Sequence, residues 1–219
     1  MRGDSIVVEE HHTRAAASIA EIVSPIIQRH HRKYTISIAG ESGSGKSETA
    51  TALADALRAA GQSCVILQQD DYFVHPPKTN DRTRRVDIGW VGPQEVRLDL
   101  LDAHLDSFRR GTPVFEKPLV IYGEDRVTTE RFDSGDSRVL IAEGTYTTTL
   151  SNVNTRVFID RDYTETRSHR DKRARSAAEL DPFIERVLAI EHDIISAHKA
   201  LAHLIVNSDY SVSQQTDSD

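Results

Sequence analysis

Tyr34-Thr35-Ile36-Ser37-Ile38-Ala39-Gly40-Glu41-Ser42-Gly43-Ser44-Gly45-Lys46-Ser47 is the stretch on which the reading of this chain turns. Its first six residues form an apolar run that reads as a strand. Its last eight fit the phosphate-binding pattern G-x-x-x-x-G-K-[ST] at every fixed position. Glu48 to Arg58 follows as a helix. That order is what the chemistry requires. Glycines let the backbone curl so that successive N–H groups point at phosphate oxygens. The helix N-terminus adds partial positive charge at the same point. Lys46 has the reach for the outer phosphates, and the Ser47 hydroxyl is a ligand for Mg²⁺. Gly40, Ser42, Gly43, Ser44, Gly45, Lys46, Ser47 and Glu48 are therefore the expected nucleotide-binding set.

Working outward, 219 residues suit one α/β domain, with apolar and charged fractions of 38% and 28% that are ordinary for a globular protein. A net charge of -7 argues against nucleic acid or an anionic membrane as the main partner. The single cysteine, Cys64, lies in the apolar run Cys64 to Leu67 and reads as a buried strand residue. It permits no intrachain disulfide, which fits a reducing, cytoplasmic setting. The N-terminal residues lack the apolar core of a signal peptide, and no apolar run reaches membrane-spanning length.

On the N-terminal side, Ile19, Ile22, Val23, Ile26 and Ile27 have helical spacing. Residues 1–33 are thus a helical extension, with Pro25 expected to kink it or start a second helix. The pairs His11-His12 and His30-His31 read as exposed helix ends. On the C-terminal side, Gly61 should cap the helix and Ser63 to Gln68 should form a second strand. Gln69-Asp70-Asp71-Tyr72-Phe73 follows at that strand's C-terminal end, where ligands of open α/β sheets bind. Residues 74–92 show no clear period and read as a mobile substrate-side loop carrying Asp87 and Trp90. Pro93 should open a helix with Val96, Leu100, Leu101, His104, Leu105 and Phe108 inward, His104 being a packed histidine. Val114 to Tyr122 and Val127 to Phe132 suit a small hairpin outside the main sheet. Val139 to Ala142 is a buried strand ending in Glu143-Gly144, and Thr155 to Asp160 is another. Residues 161–180 carry the arginines Arg167, Arg170 and Arg175, expected as a lid. A helix from Asp181 and a short strand at Leu204 to Val206 close the domain. Residues 211–219 read as a disordered tail.

A phosphate loop alone does not specify a reaction. The D-x-x-G and N-K-x-D of a GTP switch are absent, as is the L-S-G-G-Q of a transport ATPase. A small-molecule kinase needs held phosphates and metal, a base, positive charge on the moving phosphoryl group, and exclusion of water. The chain offers the phosphate loop, Glu143 for the metal, Asp70 or Asp71 as base, and Lys46 with Arg167, Arg170 or Arg175 as positive charge.

The motifs Gln69-Asp70-Asp71-Tyr72-Phe73, Pro118…Tyr122…Arg126, Val139 to Gly144 and Arg167-x-x-Arg170-Asp171…Arg175 follow the phosphate loop in the order seen in uridine kinases. From Tyr34 to Tyr210 the chain resembles that group of P-loop kinases, which includes phosphoribulokinase and bacterial pantothenate kinase. The resemblance implies a P-loop NTPase fold with a five-stranded parallel sheet and helices on both faces. It implies ATP and Mg²⁺ as cofactors and a small-molecule hydroxyl as acceptor. It favours Asp70 as base and as an aid to the metal with Ser47 and Glu143. Asp71, Tyr72, Asp87, Trp90, Tyr122 and Arg126 become the acceptor-side residues. The acceptor segment departs from the uridine kinase pattern: Val120 replaces its first tyrosine and no histidine follows. A nucleoside, a pantothenate-type or a sugar-type acceptor all stay open, as do a nucleotide-binding regulatory ATPase and a homo-oligomeric state.

Overall fold

A computed structural model describes residues 6–164 and 181–215. Six strands form the main sheet: β1 (Tyr34–Gly40), β2 (Cys64–Gln68), β5 (Val139–Glu143), β6 (Thr155–Ile159), β7 (Leu204–Val206) and β8 (Val212–Gln214). Their spatial order is β2-β5-β1-β6-β7-β8. The first five run parallel, as expected, and β8 adds an antiparallel edge. The remaining strands, β3 (Val114–Ile121) and β4 (Arg126–Asp133), make a separate antiparallel hairpin.

The central strands are buried on both faces, and their side chains divide with period two. Ile36, Ile38, Val139, Ile141, Val157, Ile159, Leu204 and Val206 point to one core, shared with α1 (Glu10–Arg29) and α2 (Lys46–Ala59). Ala39, Leu140, Ala142, Phe158 and Ile205 point to the other, shared with α4 (Leu98–Arg109) and the start of the turn after β5. Two short connecting helices complete the fold, α3 (Pro77–Val86) and α5 (Pro182–Ile195).

Four expectations are corrected. Helix α1 runs unbroken through Pro25. Glu21, whose carbonyl a residue at 25 would otherwise bond, is exposed, as is Pro25, so water can satisfy the freed group. Residues 74–92 are structured: α3 and a 3₁₀ turn at Ile88–Trp90 occupy most of them. Pro93 opens a 3₁₀ turn ending at Glu95, and α4 starts only at Leu98. The C-terminal stretch is not wholly a tail, since β8 pairs Val212 with Val206 and Gln214 with Leu204. The proposed lid arginines Arg167, Arg170 and Arg175 lie outside the described residues.

Cys64 is buried, and burial pushes its thiol up to about 11. His104 packs as expected, accepting or donating at Nδ1 to the Tyr72 hydroxyl (2.8 Å) and stacking on Phe115.

Candidate active site

The phosphate loop leaves β1 at Gly40 and enters α2 at Lys46. Gly43 and Gly45 hold φ of +77° and +94°, left-handed values that a side chain would resist. A Cβ at Gly45 would also lie 2.8 Å from Nε2 of His12. Lys46 folds back in this structure, its Nζ donating to the Glu41 carbonyl (2.8 Å).

Strand β5 lies between β1 and β2, with Glu143 level with Ile38 on one side and Gln68 on the other. Its carboxylate therefore emerges between the phosphate loop and the turn that carries Asp70. The Ser47 hydroxyl donates to Glu143 Oε1 at 3.1 Å. Burial, and then the negative charge of Asp70, raise the Glu143 carboxyl to about 7, against the opposing pull of Lys46 and Ser47. A hydroxyl, a buried carboxylate and a second acid nearby form an all-oxygen donor set, the kind that suits Mg²⁺.

The two aspartates of the 3₁₀ turn Gln69–Tyr72 differ in setting. Asp70 is exposed. Asp71 is buried: Oδ2 accepts from Lys117 Nζ (2.7 Å) and Oδ1 from the Val120 N–H (3.1 Å). Asp71 thereby fastens the β3–β4 hairpin to the end of β2. Lys117 also pairs with Glu130 at 2.8 Å. Sequence reasoning missed Lys117. The available signal was a lysine placed among apolar residues of an alternating strand. A cavity of about 220 Å³ opens here, its lining including Ser47, Gln68, Asp71, Lys117, Glu130 and Glu143.

Several acceptor-side expectations sit elsewhere. Tyr72 is fully buried, its hydroxyl committed to His104, because the turn swings its ring into the core behind the site. Asp87 caps its own turn, accepting from the Gly89 N–H (2.9 Å). Trp90 donates its indole N–H to Asn80 Oδ1 (2.9 Å). Tyr122 lies at the hairpin tip, where Arg126 pairs with Glu124 (2.8 Å). None of these five lines the cavity at Ser47 and Glu143. Glu48 is buried in the first turn of α2.

Gly144 explains why a glycine follows Glu143. Its φ is +155°, and a Cβ there would come within 2.2 Å of the Gln69 Cβ. Gln69 Oε1 accepts from the Tyr146 N–H (2.8 Å), so the turn carrying Asp70 and the turn after β5 are clamped together.

Two further contacts escaped the sequence reading. The Glu41 carboxylate is buried and engaged on both oxygens, by the Tyr163 N–H (2.7 Å) and by His192 Nδ1 (2.6 Å). His192 lies on α5, and its hydrogen bond to Glu41 raises its pKa. His12 is not an exposed helix end. It is buried beneath Gly45, and its Nδ1 accepts from the Glu9 N–H (3.1 Å), which puts the neutral ring's proton on Nε2. Tyr210 packs against the same histidines and accepts from Arg161.

With this geometry in place, residues 35–208 match the model of the phosphoribulokinase / uridine kinase family. The chain belongs to that family. Among curated relatives, the bifunctional alpha-galactosidase/sucrose kinase AgaSK of Mediterraneibacter gnavus is 32% identical over 84% of this chain, which spans only 21% of that protein. The uridine kinase of Lactiplantibacillus plantarum is 28% identical over 81% of this chain and 88% of its own length. Two solved structures share the fold at a TM-score of 0.61. One is a possible uridine kinase from Bacillus stearothermophilus, 16% identical, covering 88% of this chain and 97% of its own. The other is D-glycerate 3-kinase from Cryptococcus neoformans, 14% identical, covering 91% and 99%. Both match the P-loop α/β architecture described above. No helix among the described residues is long and apolar enough to cross a membrane.

Proposed function

We propose that this protein is an ATP-dependent kinase that phosphorylates a hydroxyl of a small polyhydroxylated metabolite, of sugar type in preference to uridine. The observation that carries the kinase reading is the Ser47 hydroxyl on the buried Glu143 carboxylate beside the phosphate loop, with Asp70 near enough for its charge to act on Glu143. In a kinase the γ-phosphoryl group needs electrostatic support and the acceptor hydroxyl needs a base. The loop amides and Lys46 would hold the phosphates. Ser47 and Glu143, with Asp70 nearby, would hold Mg²⁺, which supplies charge neutralisation on the phosphoryl oxygens when bound.

Asp70 is the base in this reading. Asp71 is buried with both oxygens bound by Lys117 and Val120, whereas Asp70 is exposed and so accessible to an acceptor. Asp71 instead shapes the acceptor wall. The small cavity at Ser47 and Glu143 mixes apolar walls from Ile6, Ile66 and Phe132 with the Gln68 amide, the Asp71, Glu130 and Glu143 carboxylates and the Lys117 ammonium, and these polar groups can hydrogen-bond the hydroxyls of a sugar. Val120, where uridine kinases have a tyrosine, points the same way, and a sucrose kinase stands among the relatives.

The test is transfer of label from γ-labelled ATP to separate pools of sugars, polyols and nucleosides. A labelled sugar or polyol is expected. A labelled nucleoside alone would refute the acceptor class. Hydrolysis at one rate with every pool would instead favour a regulatory ATPase.

A further inference from the structure

A second cavity, of about 790 Å³, opens at the other end of the sheet. Its lining includes Lys33, the residue before β1, and Arg138, the residue before β5. The phosphate loop and Glu143 lie at the far ends of those same two strands, roughly 20 Å away at about 3.3 Å per strand residue. The two sites are therefore separate.

The chemistry of this cavity runs against the charge of the chain. Arg32, Lys33, Arg109, Arg110 and Arg138 line it, against two carboxylates, Asp106 and Asp136, in a protein of net charge -7. Asp106 is taken up by Arg110 at 2.8 Å. Three of the other cations are held by neutral acceptors. Lys33 donates to the Ser137 carbonyl (2.7 Å), Arg109 to Asn152 Oδ1 (3.0 Å) and Arg138 to the Ile27 carbonyl (3.2 Å). These hydrogen bonds orient them without neutralising their charge. Concentrated like charge costs electrostatic energy unless a counter-charge joins it. Guanidinium groups match phosphate oxygens in pairs. The volume falls in the range of small-molecule sites, and the acidic surface elsewhere disfavours a long polyanion such as RNA.

We propose that this basic cavity binds a small anion bearing two or more charges, of the phosphate-ester or pyrophosphate class. Inorganic pyrophosphate is the probe. It is titrated calorimetrically into the Lys46→Ala chain, which disables the phosphate loop. One binding event is expected to remain. Adding Arg32→Ser and Arg109→Gln should weaken it at least tenfold. In the chain with Lys46 intact, the same two changes should leave turnover of ATP unaltered. Amide shifts on adding pyrophosphate should centre on Lys33, Gly111 and Arg138, a readout that needs no variant. Loss of all binding in Lys46→Ala, undiminished binding after the arginine changes, or shifts confined to residues 40–47 would each overturn the proposal. So would tight binding of a short oligonucleotide with none of pyrophosphate.

Discussion

At the scale of single residues, the adjacent acids Asp70 and Asp71 differ in burial, and the proposed function gives them different roles. Asp70→Asn should leave stability within about 0.5 kcal/mol, as expected of an exposed position. It should cut phosphoryl transfer by about 10²- to 10⁴-fold, the range for loss of a general base, with ATP binding retained. Asp71→Asn leaves the buried Lys117 ammonium beside a neutral amide, with the half-buried Glu130 carboxylate and the Pro118 carbonyl still bound to it. Loss of one member of a buried pair costs about 3 kcal/mol, so urea denaturation should show the larger effect there. A stable Asp71→Asn protein with abolished turnover would exchange the two roles. His192 yields a pH prediction. Glu41 faces it directly, with Asp162 and Asp193 adding negative charge, and all three favour the imidazolium. A histidine whose folded pKa is raised contributes stability that is complete below its unfolded value of about 6.5 and fades as pH rises through the folded value. Its NMR titration midpoint should lie above 6.5 and fall in Glu41→Gln. The stability gap between the two proteins should narrow as pH climbs past that midpoint.

At the scale of elements, the parallel strands and the phosphate loop were legible because each carries a strong local signal. β1, β5 and β6 are short, mostly apolar stretches, and the loop is fixed by glycine geometry. What escaped lacks such a signal. α3 is highly polar, with only Asn80 buried, so it shows no apolar stripe to detect. Its place is set by long-range polar contacts. Arg84 binds Glu95 and Glu191, and Asp125 of the distant hairpin accepts from the Lys78 and Thr79 N–H groups at the helix start. β8 is three residues whose strand character comes from pairing with β7. The burial of His12 depends on α1 packing over α2, a tertiary fact with no trace in the His-His pair. The sequence marks Glu143-Gly144 as a strand end, whereas the reason for its glycine lies in Gln69 opposite. Gly144→Ala should accordingly displace the turn that carries Asp70. The expected result is a fall in turnover of at least tenfold, with nucleotide affinity changed much less, measured by steady-state kinetics beside direct ATP binding. Equal losses in both would mean that the phosphate loop itself had moved.

At the scale of the whole molecule, the nucleotide site is assembled from segments spread along the chain. Glu41 ties the loop to α5 and to Tyr163, His12 and Tyr210 press beneath Gly45, and Glu143 reaches it from β5. His12 and Tyr210 fall outside residues 35–208, so segments beyond the family match contribute to the family's shared loop. Ligation should therefore stabilise the fold globally. A ligand that binds only the folded state adds about 2.7 kcal/mol at one hundred times its Kd. For a domain of this size about 1 kcal/mol moves Tm by roughly 2–4 °C. Saturating ATP with Mg²⁺ should thus raise Tm by about 5–10 °C in a calorimetric scan. Lys46→Ala should lose most of that rise. Ser47→Ala should lose the part that depends on Mg²⁺, since it removes the hydroxyl beside Glu143 and leaves the loop amides in place. A rise of the same size in both variants would mean that ATP acts on the fold from somewhere other than the phosphate loop.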